Sequence, residues 1–131
     1  MDDTELLRYS RQIMLPELDI AGQQRLANAA VLIVGLGGLG SPLALYLASS
    51  GVGELVLVDD DHVDESNLQR QIVHTEASIG ANKAESAAAR IHALNNSTKL
   101  TSITHRLERK EFAKLLETVQ LVFDATDNLA S

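Results

Sequence analysis

Short apolar runs alternate with amphipathic segments along most of the chain. Apolar, β-branched runs bounded by glycine or polar residues predict buried strands, and spacing at three to four residues predicts helices. The predicted strands are 30–35, 54–59, 99–107 and 120–128. The predicted helices are 20–29, 41–51, 82–96 and 109–119. Strands and helices therefore follow one another in strict alternation.

This alternation predicts an α/β fold of Rossmann-like type, with a parallel sheet covered by helices on both faces. We expect a helical segment over 1–29, preceding a nucleotide-binding α/β domain over 30–131. Hydrophobic residues make up 45% of the sequence and aromatic residues only 3%, so the predicted core is aliphatic and rich in alanine.

Composition excludes several classes of site. A formal charge of −7 argues against general nucleic-acid binding, which depends on a basic surface. Without cysteine, the chain has no disulfide, no thiolate zinc ligand and no cysteine nucleophile. The apolar stretches are far shorter than the roughly 20 residues of a membrane span, and MDDTELLRYSR lacks the apolar region of a signal peptide. We expect a soluble, cytoplasmic protein.

The turn after the first strand carries candidate chemistry. Gly35, Gly37 and Gly40 stand in G-x-G-x-x-G register, with an additional Gly38, between a predicted strand and a predicted helix. Such a turn brings backbone N–H groups close to phosphate oxygens, and Asp59 ends the second strand where a carboxylate can bind ribose hydroxyls. Strand, turn, helix, strand and acid in this order predict a nucleotide site.

Three polar segments follow predicted strand ends, at 35–41, 59–70 and 124–128. Ligands of parallel sheets bind at the carboxyl ends of the strands, so we expect these segments to converge. NAD is the usual ligand of such a fold, but it gives no reason for SNLQR at 66–70 or for the extra acids beside Asp59. An NAD-dependent oxidoreductase domain and a non-catalytic nucleotide-binding or dimerisation module remain as alternatives.

The motifs together resemble the ThiF/MoeB/HesA family, the bacterial relatives of ubiquitin-activating enzymes, and look most like those of MoeB-type members. The resemblance covers nearly the whole chain in family order. Its elements are LRYSRQI (7–13), VLIVGLGGLG (31–40), D-x-D-x-V-x-x-SNLQRQ (59–71), G-x-x-K (80–83) and ATDN (125–128). Because family members continue beyond ATDN, we expect this chain to be the N-terminal part of a larger adenylation domain.

The resemblance implies an ATP-dependent adenylyltransferase that uses Mg²⁺ and acts as a homodimer. Its implied partner is a small β-grasp, ubiquitin-like sulfur-carrier protein ending in Gly-Gly. The carrier's C-terminal carboxylate would become an acyl-adenylate with release of pyrophosphate. Molybdopterin synthesis, thiamine synthesis and other sulfur-carrier routes remain open as pathways, and zinc ligands are not expected in this chain.

The resemblance also implies roles for individual residues. Gly38 would lie against the nucleotide and Asp59 would hold the ribose. Asn67, Arg70 and Lys83 would face the phosphates, Asp127 would position magnesium, and Arg11 would enter the neighbouring subunit's site. The implied catalytic residues are Arg11, Arg70, Lys83 and Asp127. The implied nucleotide-binding residues are Gly35, Gly37, Gly38, Gly40, Asp59, Asp61, Ser66, Asn67, Gln69, Arg70, Lys83, Asp127 and Asn128.

Simpler interpretations stand beside these roles. Arg11 has the pattern of a solvated helix face, and Asp124 and Asp127 have that of turn caps. Asn82 departs from the proline often found in relatives, at small expected cost. The four histidines share no metal-ligand spacing and receive no role: His62, His74, His92 and His105.

Overall fold

The computed structural model describes residues 19–64 and 74–126 of the 131-residue chain, apart from the side chains of Asp19 and Glu76. The strands in these ranges are β1 (Ala30–Val34), β2 (Glu54–Val58), β3 (Lys99–Ile103) and β4 (Leu121–Asp124). The helices are α1 (Asp19–Ala27), α2 (Gly40–Ser50), α3 (Lys83–Leu94) and α4 (Arg109–Leu116), with a 3₁₀ turn at Glu76–Ser78.

The four strands form one parallel sheet in the order β3-β2-β1-β4. This confirms the predicted α/β class and the parallel sheet. The chain builds outward from β1 through β2 to β3 and then returns to the other side of β1. A crevice is expected outside the carboxyl ends of the strands where the direction of winding reverses, here between β1 and β4.

Alternate side chains of the central strands enter two separate apolar clusters. Val31 and Ile33 of β1 pack with Leu55 and Leu57 of β2 and with the buried alanines of α2 and α3. The intervening side chains pack on the opposite face with partly buried residues of α4. Two-sided burial explains why β1 and β2 read as continuous apolar runs. The core is aliphatic and alanine-rich, as predicted.

Local signals set the helix ends. Gly51 ends α2 with a left-handed φ of +97°, and its N–H donates to the carbonyl of Ala48, which confirms the predicted stop. Asn82 precedes α3 and caps it. Its Oδ1 accepts hydrogen bonds from the N–H groups of Ala84 at 2.7 Å and Glu85 at 3.1 Å. The residue that departs from the family pattern is therefore a good N-cap.

The predicted third strand is too long. Alternation continues to Leu107, but β3 ends at Ile103. Leu107 packs in the same apolar cluster as Ile103, from outside the strand. Apolar packing thus continues beyond the last residue of β3 that pairs with β2. α4 also ends earlier than predicted, at Leu116 rather than 119.

Most of the predicted N-terminal segment 1–29 lies outside the described residues, and α1 is the part of it that the structure shows. Within 19–64 and 74–126, none of the helices has the length and apolar character that crossing a membrane requires.

Truncating one core leucine should test which residues hold the sheet and helices together. Leu57 is fully buried between β2 and the helices, whereas Leu94 at the end of α3 is 46% exposed. Leu57→Ala should lower the free energy of unfolding by about 2–5 kcal/mol, because it leaves a cavity. Leu94→Ala should change it by less than about 0.5 kcal/mol. Urea denaturation measures both, and equal losses would contradict this description of the core.

Candidate functional site

The glycines of the first turn have different tasks. A Cβ on Gly40 would lie 1.8 Å from the carbonyl oxygen of Gly35, and a Cβ on Gly35 would lie 2.9 Å from the backbone of Ala125. Gly35 also has a φ of +97°. A Cβ on Gly38, by contrast, would meet none of the described residues within 4 Å. Gly35 and Gly40 are therefore required by backbone packing, whereas no such packing in the described ranges requires Gly38.

The backbone of Leu36 is held on both sides. Its N–H donates to Oδ2 of Asp59 at 2.8 Å. Its carbonyl accepts from the Ser41 hydroxyl at 2.8 Å and lies 2.9 Å from Nε2 of His74. The glycine turn is thus fastened to the end of β2, to the first turn of α2 and to the residue that follows segment 65–73.

The Asp59 carboxylate is fixed by backbone donors. Besides the N–H of Leu36, the N–H of Asp61 donates to its Oδ1 at 2.9 Å. Each carboxylate oxygen retains accepting capacity, since an ionised carboxylate offers about four acceptor positions. The side chain is therefore oriented, half-buried, and able to accept hydrogen bonds from ligand hydroxyls, as the ribose role requires.

Asn82 joins α3 to the acidic loop, which consists of residues 59–61 after β2. Its Nδ2 donates to the backbone carbonyl of Asp59 at 2.7 Å and approaches that of Asp61 at 3.3 Å. The N–H of Lys83 donates to the same Asp61 carbonyl at 2.9 Å. Asn82 therefore sets the position of the acidic loop relative to the first turn of α3.

Lys83 places a positive charge beside the acidic loop. Its side chain is 9% exposed, and Nζ lies 3.5 Å from Oδ2 of Asp61, which is 70% exposed. The N–H of His62 donates to Asp61 and, together with the ammonium of Lys83, holds the pKa of Asp61 below its usual value. A cation in the first turn of a helix opposes the helix dipole. Asp61 offsets that cost while leaving the ammonium beside an open cavity.

The cavity has a volume of about 740 Å³ and lies at the carboxyl ends of the strands. Gly35 and Gly37 of the turn, residues 59–61 with Lys83, and residues 124–126 all line it. The three predicted polar segments therefore converge in the parts that the structure describes. Gly37 and Gly38 have backbone N–H groups without a hydrogen-bond acceptor among residues 19–64 and 74–126.

A further wall of the cavity has no counterpart in the sequence motifs. It consists of residues 105–109 after β3, together with Phe112 of α4. It contributes the cations Arg106 and Arg109 and the apolar side chains of Leu107 and Phe112. The predicted continuation of β3 to 107 concealed this wall, because residues in a strand interior would not border a crevice at its end.

At the end of β4, Asp124 caps a turn. Its Oδ1 accepts from the N–H of Thr126 at 3.1 Å and from the Thr126 hydroxyl at 2.7 Å. The turn-cap interpretation is thereby confirmed for Asp124. In the part of the chain that the structure covers, no three His, Asp or Glu side chains are gathered in a way that could hold a metal ion.

The other predicted site residues lie outside the described ranges. They are Arg11, Ser66, Asn67, Gln69, Arg70, Asp127 and Asn128. Of the predicted site residues in the described ranges, the structure brings Gly35, Gly37, Asp59, Asp61 and Lys83 together around one cavity. Gly38 and Gly40 belong to the same turn as Gly37. His74 and Asn82 received no role in the site from the sequence, because the partners that give them one are distant in the chain.

Comparison with known proteins places this geometry in context. The ThiF family matches residues 9–131. The mouse protein named adenylyltransferase and sulfurtransferase MOCS3 is 51% identical over 125 residues, which are 95% of this chain and 27% of that protein. The sulfur carrier protein ThiS adenylyltransferase of Escherichia coli (strain K12) is 47% identical over 131 residues, all of this chain and 52% of that protein.

Among solved structures, the tRNA N6-threonylcarbamoyladenosine dehydratase TcdA of E. coli, in complex with ATP, superposes with a TM-score of 0.89. It is 30% identical, and the match covers 98% of this chain and 52% of that chain. This chain therefore spans about half or less of the length of the relatives described.

Two glycine substitutions separate packing from ligand access. Gly40→Ala should lower the free energy of unfolding by about 1–3 kcal/mol or more, because its Cβ meets backbone that cannot move aside. Gly38→Ala should change it by less than about 1 kcal/mol, since its Cβ meets no described residue within 4 Å. Thermal or urea denaturation distinguishes them. A Gly38→Ala protein as unstable as Gly40→Ala would overturn the division of tasks within the turn.

Proposed function

This chain belongs to the ThiF family, and on that basis we propose that it forms the nucleotide-binding part of an ATP-dependent adenylyltransferase. The proposed substrate is the C-terminal carboxylate of a small β-grasp, ubiquitin-like sulfur-carrier protein ending in Gly-Gly. The proposed products are the carrier's acyl-adenylate and pyrophosphate. The names of the mouse and E. coli relatives, both adenylyltransferases, support this reaction class.

The observation that carries the proposal is the composition of the cavity. One space at the switch point of the sheet is bordered by the oriented carboxylate of Asp59, the ammonium of Lys83 and Gly37, whose N–H has no acceptor within 19–64 and 74–126. A nucleotide needs acceptors for its ribose hydroxyls and donors for its phosphate oxygens, and this arrangement offers both. The TcdA structure with ATP shows that a chain of similar fold holds that nucleotide.

Each part of ATP has a matching region in the proposed complex. The ribose would bind to Asp59, and the phosphates would bind to the N–H groups of Gly37 and Gly38 and to Lys83. The apolar side chains of Leu107 and Phe112 offer a surface for the adenine ring, which the sequence motifs do not supply. Asn67 and Arg70 are further proposed phosphate ligands.

The chemistry requires two anions to meet. The carrier's carboxylate oxygen forms a bond to the α-phosphorus of ATP while the bond from that phosphorus to the pyrophosphate oxygen breaks. Positive charge is needed both to offset the initial repulsion and to stabilise the departing pyrophosphate. Lys83 supplies one such charge from a nearly buried position, where it is screened less by water than a surface lysine. Arg70 is proposed to supply a second.

Magnesium is proposed to bind at Asp127. Carboxylate oxygens are preferred ligands of this ion, and Asp127 follows the turn that Asp124 caps at the cavity edge. Bound there, Mg²⁺ would add neutralising charge to the phosphates. The choice of Asp127 for this role rests on the resemblance to the family.

Nucleotide preference tests the proposal directly. By calorimetry, the protein should bind Mg·ATP in preference to NAD, and Lys83→Ala should weaken ATP binding about 10- to 100-fold through loss of a charge-assisted contact. Lys99→Ala is the matched control, because Lys99 is 75% exposed at the opposite end of the sheet and pairs with Glu54. Preference for NAD would favour the oxidoreductase alternative. ATP binding without carrier-dependent ATP–pyrophosphate exchange would favour the non-catalytic module.

A homodimer with shared sites is part of the proposal, with Arg11 entering the partner's site. Arg11→Ala and Asp127→Ala proteins should each lose exchange activity. Mixing them should restore about a quarter to a half of it, because heterodimers would contain one intact site. Exchange is measured after subunit mixing, with each variant alone as control. Absence of recovery would place Arg11 in its own subunit's site or outside any site.

A further inference from the structure

His74 is a nearly buried histidine that none of the motifs explains. It is 4% exposed and lies directly after segment 65–73. Its Nδ1 is 2.8 Å from the hydroxyl of Ser86 on α3, and its Nε2 is 2.9 Å from the carbonyl oxygen of Leu36 in the glycine turn. The imidazole therefore bridges the helix that carries Lys83 and the turn that carries the glycines.

The partners of the ring determine where its proton lies. A carbonyl oxygen only accepts, so Nε2 must carry hydrogen and donate to Leu36. In the neutral ring, Nδ1 then accepts from the Ser86 hydroxyl. Burial is the main reason why the pKa of His74 lies below its ordinary value of 6.5. Lys83 acts in the same direction, while the Leu36 carbonyl and the Asp59 carboxylate act against it.

The hydrogen bond to Leu36 has a consequence on the far side of the peptide. The carbonyl of Leu36 and the N–H of Gly37 belong to one planar peptide unit, and in a trans peptide they point in opposite directions. Holding the carbonyl toward His74 and Ser41 therefore directs the N–H of Gly37 away from them. Gly37 lines the cavity, and its N–H has no acceptor in the described part of the chain.

We propose that His74 is a positioning residue which, through the Leu36–Gly37 peptide, aims the N–H of Gly37 at a phosphate group of the bound nucleotide. This inference rests on the proposed function, because it requires a nucleotide phosphate in the cavity. Ser41 holds the same carbonyl but belongs to the helix that follows the turn. His74 adds a long-range tie, so the chain leaving segment 65–73 and the glycine turn take up their positions together.

Two substitutions test this role. His74→Phe keeps a ring but removes the donor to Leu36, whereas His74→Gln places an amide N–H within reach of the same carbonyl. His74→Phe should weaken ATP binding roughly 5- to 30-fold, the factor expected for loss of a buried hydrogen bond. Binding of adenosine, which has no phosphate, should change by less than about 2-fold. His74→Gln should recover most of the ATP affinity, and His92→Phe, at an exposed position on α3, is the matched control.

The outcomes separate this inference from the proposed function. If the wild-type protein binds ATP no better than adenosine, the proposed function is overturned. If it prefers ATP but the Phe and Gln variants lose ATP affinity equally, or lose adenosine affinity as well, His74 has only a structural role and the inference is wrong. Selective loss of ATP affinity in His74→Phe with recovery in His74→Gln supports it.

The pH dependence of stability provides a second readout. Because the folded-state pKa of His74 is lowered, the unfolded chain binds more protons than the folded chain between that pKa and 6.5. The free energy of unfolding of the wild type should therefore fall as the pH decreases below 6.5, relative to His74→Gln. Urea denaturation at pH values from 7.5 downward measures this difference. Identical pH profiles would show that His74 is not held as the neutral ring that donates to Leu36.

Discussion

The backbone of Leu36 is the point on which the candidate site depends. Its N–H is bound to Asp59, and its carbonyl is bound to Ser41 and His74. Backbone groups removed from water must be satisfied within the protein, so these bonds fix the turn as well as stabilise it. These bonds hold four parts of the chain in fixed relative positions: the ends of β1 and β2, the start of α2, and His74. The shape of the cavity follows from those positions.

Several side chains of the site hold more than one part of the structure. Asp59 anchors the glycine turn while its oxygens remain able to accept from a ligand. Asn82 caps α3 and also holds the acidic loop, and that arrangement places Lys83 at the cavity with Asp61 as its counter-ion. A nearly buried lysine at a helix start is unfavourable by itself. The ion pair with Asp61 and the position beside the cavity explain how the fold tolerates it.

The comparisons with known proteins and the geometry of the cavity are consistent with each other, but they describe different lengths of protein. Family membership rests on residues 9–131, and the chain superposes on the ATP-bound dehydratase TcdA with a TM-score of 0.89. The relatives are about twice as long or longer. Partner choice and turnover are therefore properties proposed for the whole protein, whereas the orientation of the turn, the carboxylate and the lysine is visible in this chain.

The sequence by itself determined the order of strands and helices and the parallel class of the sheet. It also determined the glycine turn after β1, the position of Asp59 at the end of β2, and the family to which the chain belongs. These features depend on local periodicity and on motifs with fixed spacing, which a linear sequence preserves. Tertiary structure alone decided that β3 ends at Ile103, that Leu107 and Phe112 wall the cavity, and that Asn82 and His74 organise the site. His74 contacts Leu36 across 38 positions, and Asn82 contacts Asp59 across 23. Hydrogen bonds over such separations arise only when the sheet brings distant segments together, so no local sequence pattern predicts them.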